Sequence, residues 1–82
     1  MITGTQIRMA RSALRWSASD LASACDVAER TIIRIEAADG IPKSRTDTIM
    51  AIQSALETAG IEFIGDAGEG PGVRLWAKPN QS

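Results

Sequence analysis

Residues 17–36 read SASDLASACDVAERTIIRIE, and this stretch decides the fold of the chain. Its spacing predicts two short amphipathic helices, one beginning at Ser17 and one running from about Ala28 to Ala37. Between them lies Asp26, whose short polar side chain tolerates a left-handed backbone conformation better than most. A turn this tight makes the two helices cross steeply.

The second of these helices has two unlike sides. Ile32 and Ile35 are three residues apart and face the core, whereas Arg30 and Arg34 lie one turn apart and share the opposite side. We therefore expect the helix to present its first turn to a partner outside the protein.

A further helix is expected before and after this pair. Thr3 and Gln6 have the spacing of a capping box, which begins a helix at Thr3, and Ser17 and Asp20 have the same spacing at the start of the next helix. Ser44 and Asp47 have the same spacing and predict a last helix that stops at Gly60. Apolar residues at helical spacing predict the core: Ile7, Ala10, Leu14, Leu21, Ala22, Cys25, Ile32, Ile35, Ile49, Ile52, Ala55, Leu56 and Ala59.

Beyond Gly60 the apolar period changes to that of strands. Residues 61–64 and 73–76 are strand-like and flank the glycine-rich stretch 65–72, which predicts a β-hairpin. The fold class that we expect is mainly α: four helices followed by a C-terminal β-hairpin. We divide the chain into a helical domain at residues 1–60, a hairpin extension at residues 61–78 and a disordered tail at residues 79–82.

Composition is that of a small globular domain. The chain has 82 residues, 44% of them hydrophobic, and no apolar run long enough to span a bilayer. The one cysteine, Cys25, cannot form an internal disulfide bond, which fits a reducing cytoplasm. No charged and apolar leader opens the chain, so we expect a cytoplasmic protein without a membrane partner.

Charge is unevenly distributed along the chain. The formal net charge is −1, which by itself argues against a polyanionic partner. Residues 1–45 nevertheless carry seven basic against five acidic side chains, whereas residues 46–82 carry two against five. Because a basic face matters more than the total, the first half of the chain remains able to bind a nucleic acid.

Small, apolar and capping residues recur at characteristic offsets across the predicted helices: Gln6-Ile7-Arg8, Arg11, Trp16-Ser17, Leu21-Ala22, Val27, Thr31-Ile32, Ile35-Glu36 and then Pro42. In this pattern residues 4–60, about two thirds of the chain, resemble the Cro/repressor-type helix-turn-helix domain of the XRE family, in its small stand-alone bacterial form. The resemblance implies a bacterial transcriptional regulator that binds double-stranded DNA sequence-specifically. Two positions depart from the family pattern: Asp26 replaces the usual glycine, and Ala28 replaces a frequent capping serine.

The resemblance also implies roles for individual residues. The start of the second helix would contact DNA phosphate through Ser17, Ala18 and Ser19. The beginning of the third helix would read base edges through Glu29, Arg30, Thr31 and Arg34, with Ile33 at the margin. A structural ion pair would join the first helix to the third through Arg11 and Glu36.

Side-chain chemistry supports the base-reading role. A major groove about 12 Å wide admits one α-helix, and an arginine can bind guanine with two hydrogen bonds. Glu29 can accept from a cytosine amino group, or it can simply support the helix N-terminus through the dipole. Lys43 and Arg45 are candidates for phosphate contacts. For all of these residues the alternative is an ordinary solvated surface.

The sequence does not indicate an enzyme, a metal site or a cofactor. The chain has no histidine, and Cys25 has no second cysteine with which to bind a metal. The glycine-rich stretch at residues 65–72 lacks the Lys-Ser/Thr pair that binds phosphate, so it is expected to be a hairpin loop.

The predicted hairpin leaves Ile64 and Trp76 on its outer face, beside an unpaired strand edge. A lone two-stranded hairpin is marginal in water and bare edges invite pairing, so we expect these residues to form a homodimer interface. A monomer whose hairpin folds back on its own helices is the alternative. Two other functions stay open: an antitoxin-like protein that binds a toxin, and an adaptor that uses the same fold for protein–protein interaction.

Overall fold

The computed structural model describes residues 1–66 and 68–76. It contains four α-helices and one antiparallel hairpin: α1 Gly4–Ala13, α2 Ala18–Cys25, α3 Glu29–Glu36, α4 Thr46–Thr58, β1 Ile61–Ile64 and β2 Gly72–Leu75. The mainly α class and the C-terminal hairpin are therefore confirmed. The predicted end of the hairpin extension at Lys78 and the predicted tail at residues 79–82 lie outside the described residues. No described helix is long and apolar enough to cross a membrane.

Helix α1 begins with the predicted capping box. The Thr3 hydroxyl accepts from the backbone N–H of Gln6, and the Gln6 side-chain oxygen accepts from the backbone N–H of Thr3. Ile2 before the cap and Ile7 in the second turn are both buried, so the chain enters the helix with an apolar staple.

The turn between α2 and α3 is as tight as the sequence predicts. Helix α2 starts with a capping box formed by Ser17 and Asp20, and Asp26 after its last turn has φ 57° and ψ 44°. Ala28 is the N-cap of α3 and makes no side-chain hydrogen bond. Packing therefore holds the start of α3 without help from a capping side chain.

The predicted capping box of α4 is wrong. The N-cap is Arg45 and not Ser44, and no side chain caps the helix. The Ser44 backbone N–H donates to the carbonyl of Pro42 at 3.1 Å, so Ser44 belongs to the turn after the proline and the helix begins one residue later. Asp47 remains in the first turn, where it forms an ion pair with Arg45.

One core joins all four helices to the hairpin. Its buried apolar residues are Ile2, Ile7, Ala10, Leu21, Ile32, Ile35, Ile49, Ile52, Leu56 and Ile61. The predicted core residues of the helices are all among them except five that are half-buried: Leu14, Ala22, Cys25, Ala55 and Ala59. The first three of these pack against the core.

The hairpin packs on two helices: β1 contacts α4 and β2 contacts α1. The Gln6 side chain, buried in α1, donates to the carbonyls of Ile64 and Gly72 at 3.2 and 3.0 Å. One amide group therefore caps α1 and binds both strands of the hairpin.

Candidate nucleic-acid interface

The outward side of α3 is polar and cationic. The helix buries Ile32 and Ile35 in the core, which fixes the side that faces solvent. The four predicted base-reading residues are positioned as follows: Glu29, Arg30 and Arg34 are exposed, and Thr31 is half-buried.

The two arginines of this surface have no acidic partner within the described chain. Ion pairs in residues 1–66 and 68–76 join Arg8 to Asp39, Arg11 to Glu36, Arg45 to Asp47 and Arg74 to Glu62. Arg30, Arg34 and Lys43 take part in none of them. Their charges are therefore available to an anion or a base edge outside the protein.

An apolar side chain lies next to these arginines. Ile33 is 56% exposed, directly before Arg34 in α3. The sequence placed Ile33 only at the margin of the base-reading set, because a run of three isoleucines in four positions does not show which one is left outside. Its exposure adds a group that can contact the methyl group of thymine.

Arg34 and Lys43 come together near the end of α3. They line a shallow hollow of about 310 Å³, together with Ile41 and Pro42. The other predicted phosphate ligand of this region, Arg45, is bound to the Asp47 carboxylate at 3.2 and 3.3 Å. Lys43 is therefore better suited to bind a phosphate than Arg45.

The first turn of α2 offers two backbone donors. In the capping box the Ser17 N–H donates to the Asp20 carboxylate at 2.8 Å, and the Asp20 N–H donates to the Ser17 hydroxyl at 3.0 Å. The N–H groups of Ala18 and Ser19 donate to no acceptor within the described residues. Such a helix N-terminus attracts a phosphate, and the Asp20 carboxylate beside it weakens that attraction.

An ion pair fixes α1 to α3. Arg11 donates from Nε and Nη2 to the two carboxylate oxygens of Glu36, both at 2.8 Å. Only 7% of the Glu36 side chain is exposed. The hydrogen bond to Glu36, reinforced by its charge, raises the pKa of Arg11 against the opposing effect of burial. Arg11 also donates to the carbonyl of Trp16 at 3.0 Å, so one guanidinium joins α1, the start of α2 and the end of α3.

Arg8 has a structural role that the sequence did not reveal. Its guanidinium donates to the backbone carbonyl of Glu36 and to the hydroxyl of Thr5, and it forms an ion pair with Asp39 at 3.5 Å. Arg8 therefore caps the C-terminus of α3. No local spacing could have predicted this, because Arg8 and Glu36 are separated by 28 positions.

Arg15 lies beside the start of α2 and has φ 59°. The N–H of Trp16 donates to the carbonyl of Arg11 at 2.9 Å, and the N–H of Arg15 donates to that of Ser12 at 3.0 Å. These two bonds form a Schellman motif, in which glycine usually takes the left-handed position. Since glycine is the usual sequence signal for this motif, the sequence did not predict it.

Cys25 is a free, half-buried cysteine that packs against the core. Burial raises the pKa of its thiol, and the thiol donates to the carbonyl of Leu21 at 3.1 Å. No group of three or more metal-ligating side chains occurs among the described residues.

The predicted dimer residues lie on the hairpin. Ile64 is 38% exposed and Trp76 is 53% exposed. The guanidinium of Arg74 stacks over the Trp76 ring at 5.6 Å and forms an ion pair with Glu62 at 3.2 Å.

A comparison of the chain with models of known protein families found no match, and a search of curated proteins found none either. The role of the α3 surface is therefore inferred from its geometry and chemistry.

Proposed function

We propose that this chain binds double-stranded DNA sequence-specifically and acts as a bacterial transcriptional regulator of the Cro/repressor type. The observation that carries the proposal is the outward side of α3. Arg30 and Arg34 have no ionic partner there among the described residues, while the inward side of the same helix is locked in the core. A rigid helix with two free guanidinium groups one turn apart suits the major groove.

In this proposal α3 lies in the major groove. Its eight residues span about 12 Å, enough to cross several base pairs. Arg30 and Arg34 each bind the O6 and N7 atoms of a guanine. Thr31 hydrogen-bonds a neighbouring base, Glu29 accepts from a cytosine amino group, and Ile33 contacts a thymine methyl group.

Phosphate contacts position α3 and carry no sequence information of their own. One phosphate binds at the start of α2, to the Ser17 hydroxyl and to the N–H groups of Ala18 and Ser19. A second phosphate binds Lys43. Arg45 contributes less, because Asp47 already holds its guanidinium.

Two copies of the chain read a full operator. One recognition helix contacts only a few base pairs, whereas a twofold homodimer contacts half-sites about 34 Å apart. Occupation of such an operator in the bacterial cytoplasm regulates the adjacent gene.

Selection of bound duplexes from a random pool tests the proposal. The wild type should enrich one palindrome. Arg30→Ala should relax the preference at defined positions and cost about 1–3 kcal/mol for the lost guanine contact. Arg30→Lys is the control for charge, since it keeps the positive charge but cannot form the bidentate hydrogen bonds of arginine. This variant should retain its nonspecific affinity for DNA and still lose the base preference. If the wild type enriches no duplex from the random pool, the proposal is wrong.

A protein-binding role, antitoxin-like or as an adaptor, is the second candidate. The exposed apolar side chains of the hairpin favour it: Ile64, Leu75 and Trp76. This second candidate is supported if a defined protein partner binds the hairpin and no duplex is enriched from the random pool.

A further inference from the structure

Arg15 has a backbone conformation that packing does not explain. Its φ of 59° lies in the left-handed region, where a Cβ atom crowds the next carbonyl oxygen and glycine is the favoured residue. Asp26 is the one other non-glycine residue of the described chain with a positive φ, and its short polar side chain suits that conformation. A strained residue of this kind points to a function of its side chain.

The backbone next to Arg15 is fixed on both sides of Trp16. The Trp16 N–H donates to the carbonyl of Arg11 at 2.9 Å, and the Trp16 carbonyl accepts from the guanidinium of Arg11 at 3.0 Å. Trp16 packs against the core, whereas its neighbours Arg15 and Ser17 are exposed. Arg15 is therefore presented to solvent from a rigid turn.

Arg15 also lies close to the first turn of α2. At most about 7 Å separate its Cα atom from that of Ser17, because the two residues are two positions apart. The long side chain of Arg15 can therefore reach an anion that contacts the Ser17 hydroxyl.

The charge of Arg15 is not neutralised by a carboxylate of residues 1–66 and 68–76, since Arg15 takes part in none of the ion pairs there. The acidic residue of the first turn of α2, Asp20, is bound to Ser17 in the capping box. Its negative charge opposes the approach of an anion to this turn, and a cation on Arg15 offsets it.

We propose that Arg15 binds a phosphate of the DNA backbone beside the start of α2, and that the left-handed conformation is retained for this contact. The inference rests on the proposed function, in which this phosphate has neutral ligands only: the Ser17 hydroxyl and the N–H groups of Ala18 and Ser19. A guanidinium forms charge-assisted hydrogen bonds with phosphate oxygens, which are stronger than those of neutral donors. Arg15 therefore adds affinity for DNA without adding base preference.

Arg15→Gly separates the stability of the turn from the binding of phosphate. Glycine adopts φ 59° without strain, so this variant should unfold at a higher temperature than the wild type. It should nevertheless bind DNA less tightly, and the slope of log affinity against log salt should fall by about 1, since one phosphate contact is lost. Thermal unfolding measures the stability, and fluorescence anisotropy with a labelled duplex measures the affinity and the slope.

Two variants serve as controls for charge. Arg15→Lys keeps a positive charge at this position, and lysine also binds phosphate, so the salt slope should remain that of the wild type. Arg74→Gln removes one positive charge from the hairpin, outside the proposed DNA surface, and should leave the slope unchanged. Agreement of both controls with the wild type assigns the effect to a cation at position 15.

A comparison of two duplexes distinguishes a phosphate ligand from a base-reading residue. Arg15→Gly should weaken binding by the same factor for the duplex that the wild type enriches and for a duplex of unrelated sequence. Arg30→Ala should weaken binding to the enriched duplex more than to the unrelated one. A selective loss for the enriched duplex in Arg15→Gly would contradict the phosphate contact.

Three further results overturn the inference. One is a wild-type affinity and salt slope in Arg15→Gly. The second is a loss of slope in Arg15→Lys or Arg74→Gln that equals the loss in Arg15→Gly. The third is an unchanged or lower unfolding temperature for Arg15→Gly, which would show that the backbone at this position is not strained.

The inference and the proposed function are tested by different measurements. Any of these results leaves the proposed function intact as long as the wild type enriches a duplex from the random pool. If the wild type enriches no duplex, the proposed function is wrong and the phosphate contact of Arg15 is wrong with it.

Discussion

A Cβ built at Gly4 would overlap the backbone carbonyl oxygens of Ile35 and Ala38 at the end of α3. The Gly4 N–H donates to the carbonyl of Gly40 at 3.0 Å. Helix α1 therefore packs backbone against backbone on the end of α3, and this contact sets the angle at which α3 faces outward.

Gly4→Ala should lower the free energy of unfolding by about 1–3 kcal/mol, because the methyl group forces the two helices apart. The loss occurs although alanine is the better helix former. Gly40→Ala is the matched control, since a Cβ there meets nothing within 4 Å. Urea unfolding of both variants measures the effect, and equal losses would contradict the close contact at Gly4.

Arg11→Ala should destabilise the protein by about 3 kcal/mol, because it leaves the buried Glu36 carboxylate without its cation. Arg45→Ala removes an ion pair whose side chains are 83% and 71% exposed, so it should cost less than about 1 kcal/mol. Thermal and urea unfolding compare the two. If both variants lose the same stability, the Arg11 pair is not the link between α1 and α3.

At the scale of elements, the helices differ in how they start. Helices α1 and α2 begin with complete capping boxes, and the sequence predicted both because their partners are three residues apart. Helices α3 and α4 begin at Ala28 and Arg45 without a side-chain cap. Ser44 and Asp47 have the spacing of a capping box, but Ser44 belongs to the turn after Pro42 and lies outside the helix.

Ala28→Ser should stabilise α3 by about 1 kcal/mol, because a serine hydroxyl can accept one of the unbonded N–H groups of the first turn. The backbone at Ala28 already has the extended conformation of an N-cap, with φ −60° and ψ 140°. Ala37→Ser, at the exposed other end of the helix, should give no gain. The midpoint of thermal unfolding distinguishes the two, and equal shifts would show that the effect is not capping.

At the scale of the whole molecule, the net charge of −1 conceals a local cationic surface. Arg30, Arg34 and Lys43 are exposed and lie outside the ion pairs of the described chain. Electrostatic attraction to DNA depends on such local charges more than on the total.

The salt dependence of duplex affinity should reveal which cations contact phosphate. Lys43→Ala should reduce the slope of log affinity against log salt by about 1, since one phosphate contact is lost. Arg45→Ala should reduce it less, because Asp47 already neutralises that guanidinium in part. Fluorescence anisotropy with a labelled duplex at several salt concentrations gives the slopes. A larger change for Arg45→Ala would reverse the ranking of these two proposed phosphate ligands.

The sequence by itself determined what short-range spacing controls. Capping boxes placed the starts of α1 and α2, three- and four-residue spacing assigned Ile32 and Ile35 to the core, and Asp26 marked the turn before α3. These features depend on residues within one turn of each other, so local stereochemistry is sufficient to predict them.

Only the tertiary structure decided how these elements meet. Gln6 binds carbonyls 58 and 66 positions away, Arg8 caps the end of α3, and the close approach at Gly4 sets the position of that helix. The same structure left Ile33 and Trp76 exposed. Such contacts arise when several elements bury their apolar sides together, and the pattern within a single element does not specify which polar groups then come within reach of one another.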